Sequence, residues 1–278
     1  MGPMATTLVA AVALGLTVGV VVGGFGGGGG VLSVPLLVYA LGQSAQDATT
    51  GSILIVGATA IAGVLARCRC GGVDQRIGLA FIAVGVPSAW LGTLFNRHAS
   101  QPVLLLAFAG LTIVAAAALL LNSRDGDSAP DQDGPTPEAP GGVTSVDVRS
   151  RTRRRVATAA KIVVSGAAVG FLTGFLGVGG GFLVVPALVV VLHMPMSQAV
   201  GTSLLIIVGN SVAALASRFG ALHLDWGVIA PFALAAIVGT VVGKQIADRL
   251  SGAVLTRSFA VMLVAVGLFV AAESVAAF

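Results

Sequence analysis

The sequence predicts an all-α polytopic membrane protein made of two inverted five-element repeats, each with a glycine-rich broken helix, around a mid-membrane site. Three observations predict it. The 278 residues are 56% hydrophobic and 9% charged with mean hydropathy +1.01, which is the composition of a membrane protein and not of a soluble domain. A glycine run, GGFGGGGGVLSVPLLVYAL from Gly23 to Leu41, recurs as GFLGVGGGFLVVPALVVVL from Gly174 to Leu192. Finally, the two halves align without a gap at a constant offset of 151 residues, which marks an internal repeat.

Taken in order, the first apolar segment, Ala5 to Val22, has no positive n-region and no cleavage site, so it is expected to be a membrane helix and not a signal peptide. After each glycine run a helix-competent stretch follows, Val31 to Gly42 or Phe182 to His193, with Pro35 or Pro186 in its first turns. Twelve helical residues rise roughly 18 Å, little more than half of a hydrocarbon core about 30 Å thick, so each reads as a half-helix. The remaining apolar segments are about Gln46 to Ala66, Ile77 to Phe95, Pro102 to Asn122, Thr158 to Leu176, Gln198 to Ser217, Trp226 to Ala247 and Leu255 to Ala276. They give repeats at residues 1–123 and 157–278. Between them, residues 124–156 are rich in Asp, Pro and Gly and then in Arg, and are expected to form a disordered cytoplasmic linker.

The basic residues orient the chain. With five crossings per half and the linker inside, 13 of the 15 Lys and Arg residues fall on one side, leaving Arg97 and Arg218 outside. Four crossings would move Lys244, Arg249 and Arg257 outside. Inverted halves in the plasma membrane, with both termini outside, are therefore expected.

The glycine blocks carry the chemistry. Non-helical backbone at membrane depth is tolerated only where it is enclosed by protein or lines a watery cavity. Close helix packing is the competing use of such glycines, but five in succession, repeated at a matched position, go beyond it. A half-helix opening inside the membrane turns its positive dipole end and free amides toward the cavity, where an anion fits. The candidate donors are Gly27, Gly28, Gly29, Gly30, Gly177, Gly179, Gly180 and Gly181. Counting depth along the next helix places Thr59 level with the first block, and its repeat mate is Asn210. Arg67 and Arg218, also mates, are candidate vestibule residues, with snorkelling anchors as the alternative; Asp74 and Asp225, seven residues on, are expected to pair with them.

Several classes drop out. GTVVGKQ lacks the spacing and the final Ser or Thr of a phosphate-binding loop, and no hydrolase or zinc motif accompanies the three histidines. Cys68 and Cys70 are too few for a structural zinc site. No carboxylate lies deep in a predicted helix, so no acidic proton relay is evident. The expectation is a protein that is not an enzyme, without cofactor or metal, whose partners are a small anion and the lipid bilayer, and not nucleic acid. A coupling ion, H+ or Na+, and a homo-oligomeric state stay open.

The paired blocks GGGGGVLSVP and GVGGGFLVVP, each followed by an Ala-x-x-x-Ser segment in AQDATTGSIL and SQAVGTSLLI, resemble the TauE/SafE sulfite exporter family, also called the toluene sulfonate uptake permease family. The resemblance covers nearly the whole chain apart from the linker. It implies a secondary transporter of sulfite, sulfonates and related organosulfur or carboxylate anions. Such anions present acceptor oxygens, which suit glycine amides and the hydroxyls of Ser33, Thr49, Thr50, Ser52, Thr202 and Ser203, although Ser and Thr in membrane helices often bond their own backbone. Thr50-Gly51-Ser52 departs from the family pattern that Gly201-Thr202-Ser203 follows. An alternating-access carrier leads over two alternatives, an anion channel on the same loops and a non-transporting scaffold using the linker.

Overall fold

The computed structural model describes residues 3–27, 29–37, 41–43, 45–68, 72–96, 101–126, 145–176, 181–216 and 226–276. They form ten helices and no strand: α1 (Pro3–Phe25), α2 (Gly29–Pro35), α3 (Ala45–Cys68), α4 (Gln75–Asn96), α5 (Gln101–Gly126), α6 (Ser145–Leu176), α7 (Gly181–Val190), α8 (Met196–Ala216), α9 (Trp226–Ala247) and α10 (Gly252–Ala276). Six of them, α1, α3, α4, α6, α8 and α9, are long and apolar enough to cross a membrane, and shorter apolar stretches lie in α5, α7 and α10. The chain is therefore an all-helical, multi-pass membrane protein.

Boundaries differ from expectation where glycine was read as loop. Gly23 and Gly24 extend α1 to Phe25, and α2 and α7 begin at Gly29 and Gly181, so those glycines lie in first helical turns. Pro35 consequently closes the described part of α2 instead of opening it, and Pro186 sits inside α7. α7 stops at Val190, three residues short of the expected His193, and α2 is described to Pro35, seven short of the expected Gly42. The Gln43 N–H donates to the Leu37 carbonyl at 3.1 Å around Gly42 at φ 66°, and the Met194 N–H donates to the Leu188 carbonyl at 3.2 Å around His193 at φ 53°. Each bond spans six residues and closes the turn around a left-handed residue, at repeat-mate positions in the two halves.

At the linker, α5 runs on to Gly126 and α6 starts at Ser145, so both flanks of residues 124–156 are helical where disorder was expected. The physical reason is the Arg-rich run before Lys161, whose straight side chains favour helix more than its charge suggests. Residues 127–144 lie outside those described.

Packing is set by small residues. A Cβ on Gly15, Gly19 or Gly23 of α1 would meet the backbone of Phe232, Ala236 or Thr240 of α9 closer than 3.0 Å, so the two helices touch backbone to backbone and run parallel. At the repeat-related crossing, Gly170 and Gly174 of α6 press in the same way on Gly85 and Ala89 of α4, and Gly166 lies beside Phe81. Every one of these six glycine positions and its neighbour is displaced by 151 residues from its mate. The central pair α3 and α8 runs the other way: Gly57 faces Ser211 and Gly63 faces Leu204, an antiparallel register.

Two cores result. One gathers Val18, Val22, Leu37, Ile55 and Phe232 around α1, α2, α3 and α9; the other gathers Phe81, Phe108, Phe182, Leu188 and Phe259 around α7. Eight of the ten α7 residues are buried, so protein encloses this short helix and lipid does not reach its backbone. Phe108 of α5 packs edge-on to Phe182, with ring centroids 5.2 Å apart.

Candidate functional site

The two glycine blocks meet. Gly26, with φ 72°, ends α1 in a left-handed turn that only glycine adopts without strain, and it leads into Gly27. A Cβ on Gly27 would run into the Gly181 carbonyl oxygen closer than 3.0 Å, and a Cβ on Gly181 would stand 3.1 Å from the Gly27 carbonyl oxygen. Residues 154 positions apart thus share one backbone contact. Ile207 of α8 closes it on one side, with its Cδ1 2.6 Å from that position on Gly181. Ile207 is near the middle of a membrane-length helix, which puts the contact well away from both ends of the bundle.

Ser203 fastens the arrangement. Its buried hydroxyl donates to the Gly26 carbonyl at 2.7 Å, with the Val200 carbonyl of its own helix at 2.8 Å. The second half therefore holds the first glycine block in place. Gly26 was not among the expected site residues, although its repeat mate Gly177 was; transferring that assignment across the repeat finds it.

Other expected hydroxyls turn to backbone. Ser33 donates to Gly29 at 2.6 Å, Ser52 to Thr49 at 2.8 Å, and Thr59 to Ile55 and Val56, each at 2.9 Å. Thr50 is nine-tenths buried and has a bonded partner of its own. Thr202, fully buried, accepts the Asp74 N–H at 3.0 Å and so pins the start of α4 against α8. Gly29 faces Val22 of its own half, where a side chain would collide, and Gly30 continues the first turn of α2. Gly28, Gly177, Gly179, Gly180 and Arg218 lie outside the described residues.

Asn210 is brought to a different place from Thr59. It lines a small cleft between α4, α6, α7 and α8, with Phe81, Gly85, Thr173 and Val184 among its walls. The cleft has room for roughly one water.

The expected pairing of Arg67 with Asp74 is not what forms. Asp74 directly precedes α4, and its Oδ1 accepts the Ile77 N–H at 3.1 Å and the Arg76 N–H at 3.0 Å, so helix capping claims it. Arg67 is only 4% exposed, and its Nη2 donates to the Gly23 carbonyl, at the end of α1. Asp225 lies outside the described residues.

Residues 11–270 match the family model described as "Sulfite exporter TauE/SafE". A probable membrane transporter protein of Xylella fastidiosa strain 9a5c is 32% identical over 269 residues, 95% of each chain. The probable membrane transporter protein YunE of Bacillus subtilis strain 168 is 26% identical over 261 residues, 91% of each chain. No solved structure matches the chain.

Proposed function

The chain belongs to the sulfite exporter TauE/SafE family and is a membrane transporter and not an enzyme, and on that premise we propose that it carries small organosulfur or related anions, such as sulfite, sulfonates or carboxylates, by alternating access. The carrying observation is the contact of Gly27 with Gly181 beside Ile207. Two matched blocks, each running into a short helix, converge there, and first-turn amides at such a junction are donors suited to an oxyanion. The site we assign comprises both glycine blocks, with Ser203 holding the first and Asn210 opening on the adjoining cleft.

The antiparallel register of the repeat mates α3 and α8 supports inverted halves, residues 1–123 and 157–278, and hence two exchangeable states around one site. On this reading the ends of α1, α3 and α9 near Arg67 face the cytoplasm together with the linker, and both termini face outward. The lipid bilayer surrounds the bundle.

Thermal stabilisation of the purified protein by sulfite, sulfoacetate, taurine, thiosulfate, sulfate and small carboxylates tests the site. A stabilising anion is expected, with the response lost in Gly27→Ala, whose methyl must push the two backbones apart, and kept in Gly181→Ala, whose nearest obstacle is the flexible tip of Ile207. Equal behaviour of the two variants would sink the assigned site. Flux of the winning anion in proteoliposomes should saturate and exchange label; unsaturated flux would mark a channel. Absence of flux with every anion, together with loss of cellular function on deletion of residues 125–148 but not on changes to the glycines, would mark a scaffold.

A further inference from the structure

Arg67 stands out among the buried polar groups. It is 4% exposed, its Nη2 hydrogen bonds to a backbone carbonyl, and its Nε–H is buried without an acceptor. The carboxylate that acts on it electrostatically is Asp248, and that group is already held by Lys244 at 2.7 Å. Among the described residues, Arg67, Lys244 and Asp248 together leave one positive charge uncompensated at the ends of α1, α3 and α9. A guanidinium removed from water with a donor unfilled and no counter-charge of its own is strongly disfavoured, unless an anion supplies both.

The position is specific. The carbonyl that Arg67 binds belongs to Gly23, four residues before Gly27, and Gly23 is itself pressed against Thr240 of α9. An anion leaving the glycine-block contact toward this end of the bundle meets Arg67 about one helical turn away. Arginine presents a planar fork that matches two oxygens of a sulfite, sulfonate or carboxylate.

We propose that Arg67 is a second anion-binding residue, which receives the small oxyanion between the glycine-block site and the end of the bundle formed by α1, α3 and α9, with the Nε–H as one of its donors. This rests on the carrier reading above and adds a station to it. While the anion is absent, the Gly23 carbonyl stands in as acceptor; when it binds, the guanidinium is drawn from that carbonyl and loosens the end of α1 just ahead of the glycine block. Asp248 opposes the anion electrostatically and so limits how tightly it is held.

The test uses the full chain purified in a buffer free of chloride, carboxylates and sulfonates, with sulfite and sulfoacetate as probes, and reads the concentration that half-saturates thermal stabilisation and the KM for flux. In Arg67→Met both are expected to rise roughly tenfold to a hundredfold, the usual weight of a hydrogen bond to a charged group. In Asp248→Asn, a change at a half-exposed side chain, both should fall severalfold. Unchanged values in either variant would overturn the proposal, and so would stabilisation by chloride alone. If Arg67→Met does not fold, Asp248→Asn decides by itself. Should the wild type respond to no anion, the carrier reading fails and this proposal with it; should Gly27→Ala lose a response that Arg67→Met and Asp248→Asn keep unaltered, this proposal alone fails.

Discussion

Replacing Ser203 with alanine should loosen the first glycine block without touching its glycines. The hydroxyl is fully buried and bonds the Gly26 carbonyl across the repeat interface at 2.7 Å. Its removal leaves a buried carbonyl in a left-handed turn without that donor, and an unsatisfied buried acceptor costs about 1–3 kcal/mol. No cavity of consequence forms, because one oxygen is lost, so roughly 1–2 kcal/mol is the expected net effect. That shifts the balance between a held and a released block by a factor of about 5–30. Thermal denaturation without ligand should show the loss, and titration with the stabilising anion should show weakened binding. Ser33→Ala is the control: its hydroxyl bonds Gly29 four residues back in the same helix, so its removal should stay within about 0.5 kcal/mol. If Ser203→Ala behaves like Ser33→Ala in both assays, the cross-repeat bond does not position the block and the reasoning fails.

Two further outcomes are expected. Gly19→Ala and Gly170→Ala, mates whose methyls would strike the carbonyls of Ala236 and Gly85, should each lose about 1–3 kcal/mol and by similar amounts, whereas Gly110→Ala, with nothing within 4 Å, should be neutral in the same denaturation series. His193→Gly should raise the denaturation midpoint, since a non-glycine residue held left-handed at φ 53° costs roughly 1–2 kcal/mol that its mate Gly42 avoids; an unchanged or lower midpoint would count against that strain.

Element number and type were legible because each apolar segment is long and glycine punctuates the chain where helices break. The left-handed turns beyond the short helices were legible to unequal degrees. Gly42 announces a left-handed turn, while His193 carries no such signal and is matched to Gly42 only by the offset of 151 residues. The starts were not legible, since a glycine run reads alike whether its residues form a loop or a first turn; what decides is whether a neighbour fills the space, as Val22 does beside Gly29. The hydroxyls show the same limit. The resemblance pointed to Ser33, Ser52 and Ser203 alike, and depth along the helix to Thr59, but a hydroxyl in a helix bonds its own backbone unless another carbonyl comes within reach.

Of those four, Ser203 alone has such a carbonyl, and the reason lies in the swapped packing of the halves. Parallel contact of α1 with α9 and of α6 with α4 binds each repeat to the other more closely than to itself, and this brings Gly27 to Gly181. A change that spreads one crossing must therefore be felt at the shared contact between blocks. The glycines of the crossings and the glycines of the blocks then belong to one device, with the first set fixing how far the second can move. On that view Gly19→Ala should weaken anion binding as well as stability, although Gly19 lies two helical turns from Gly27 along the chain.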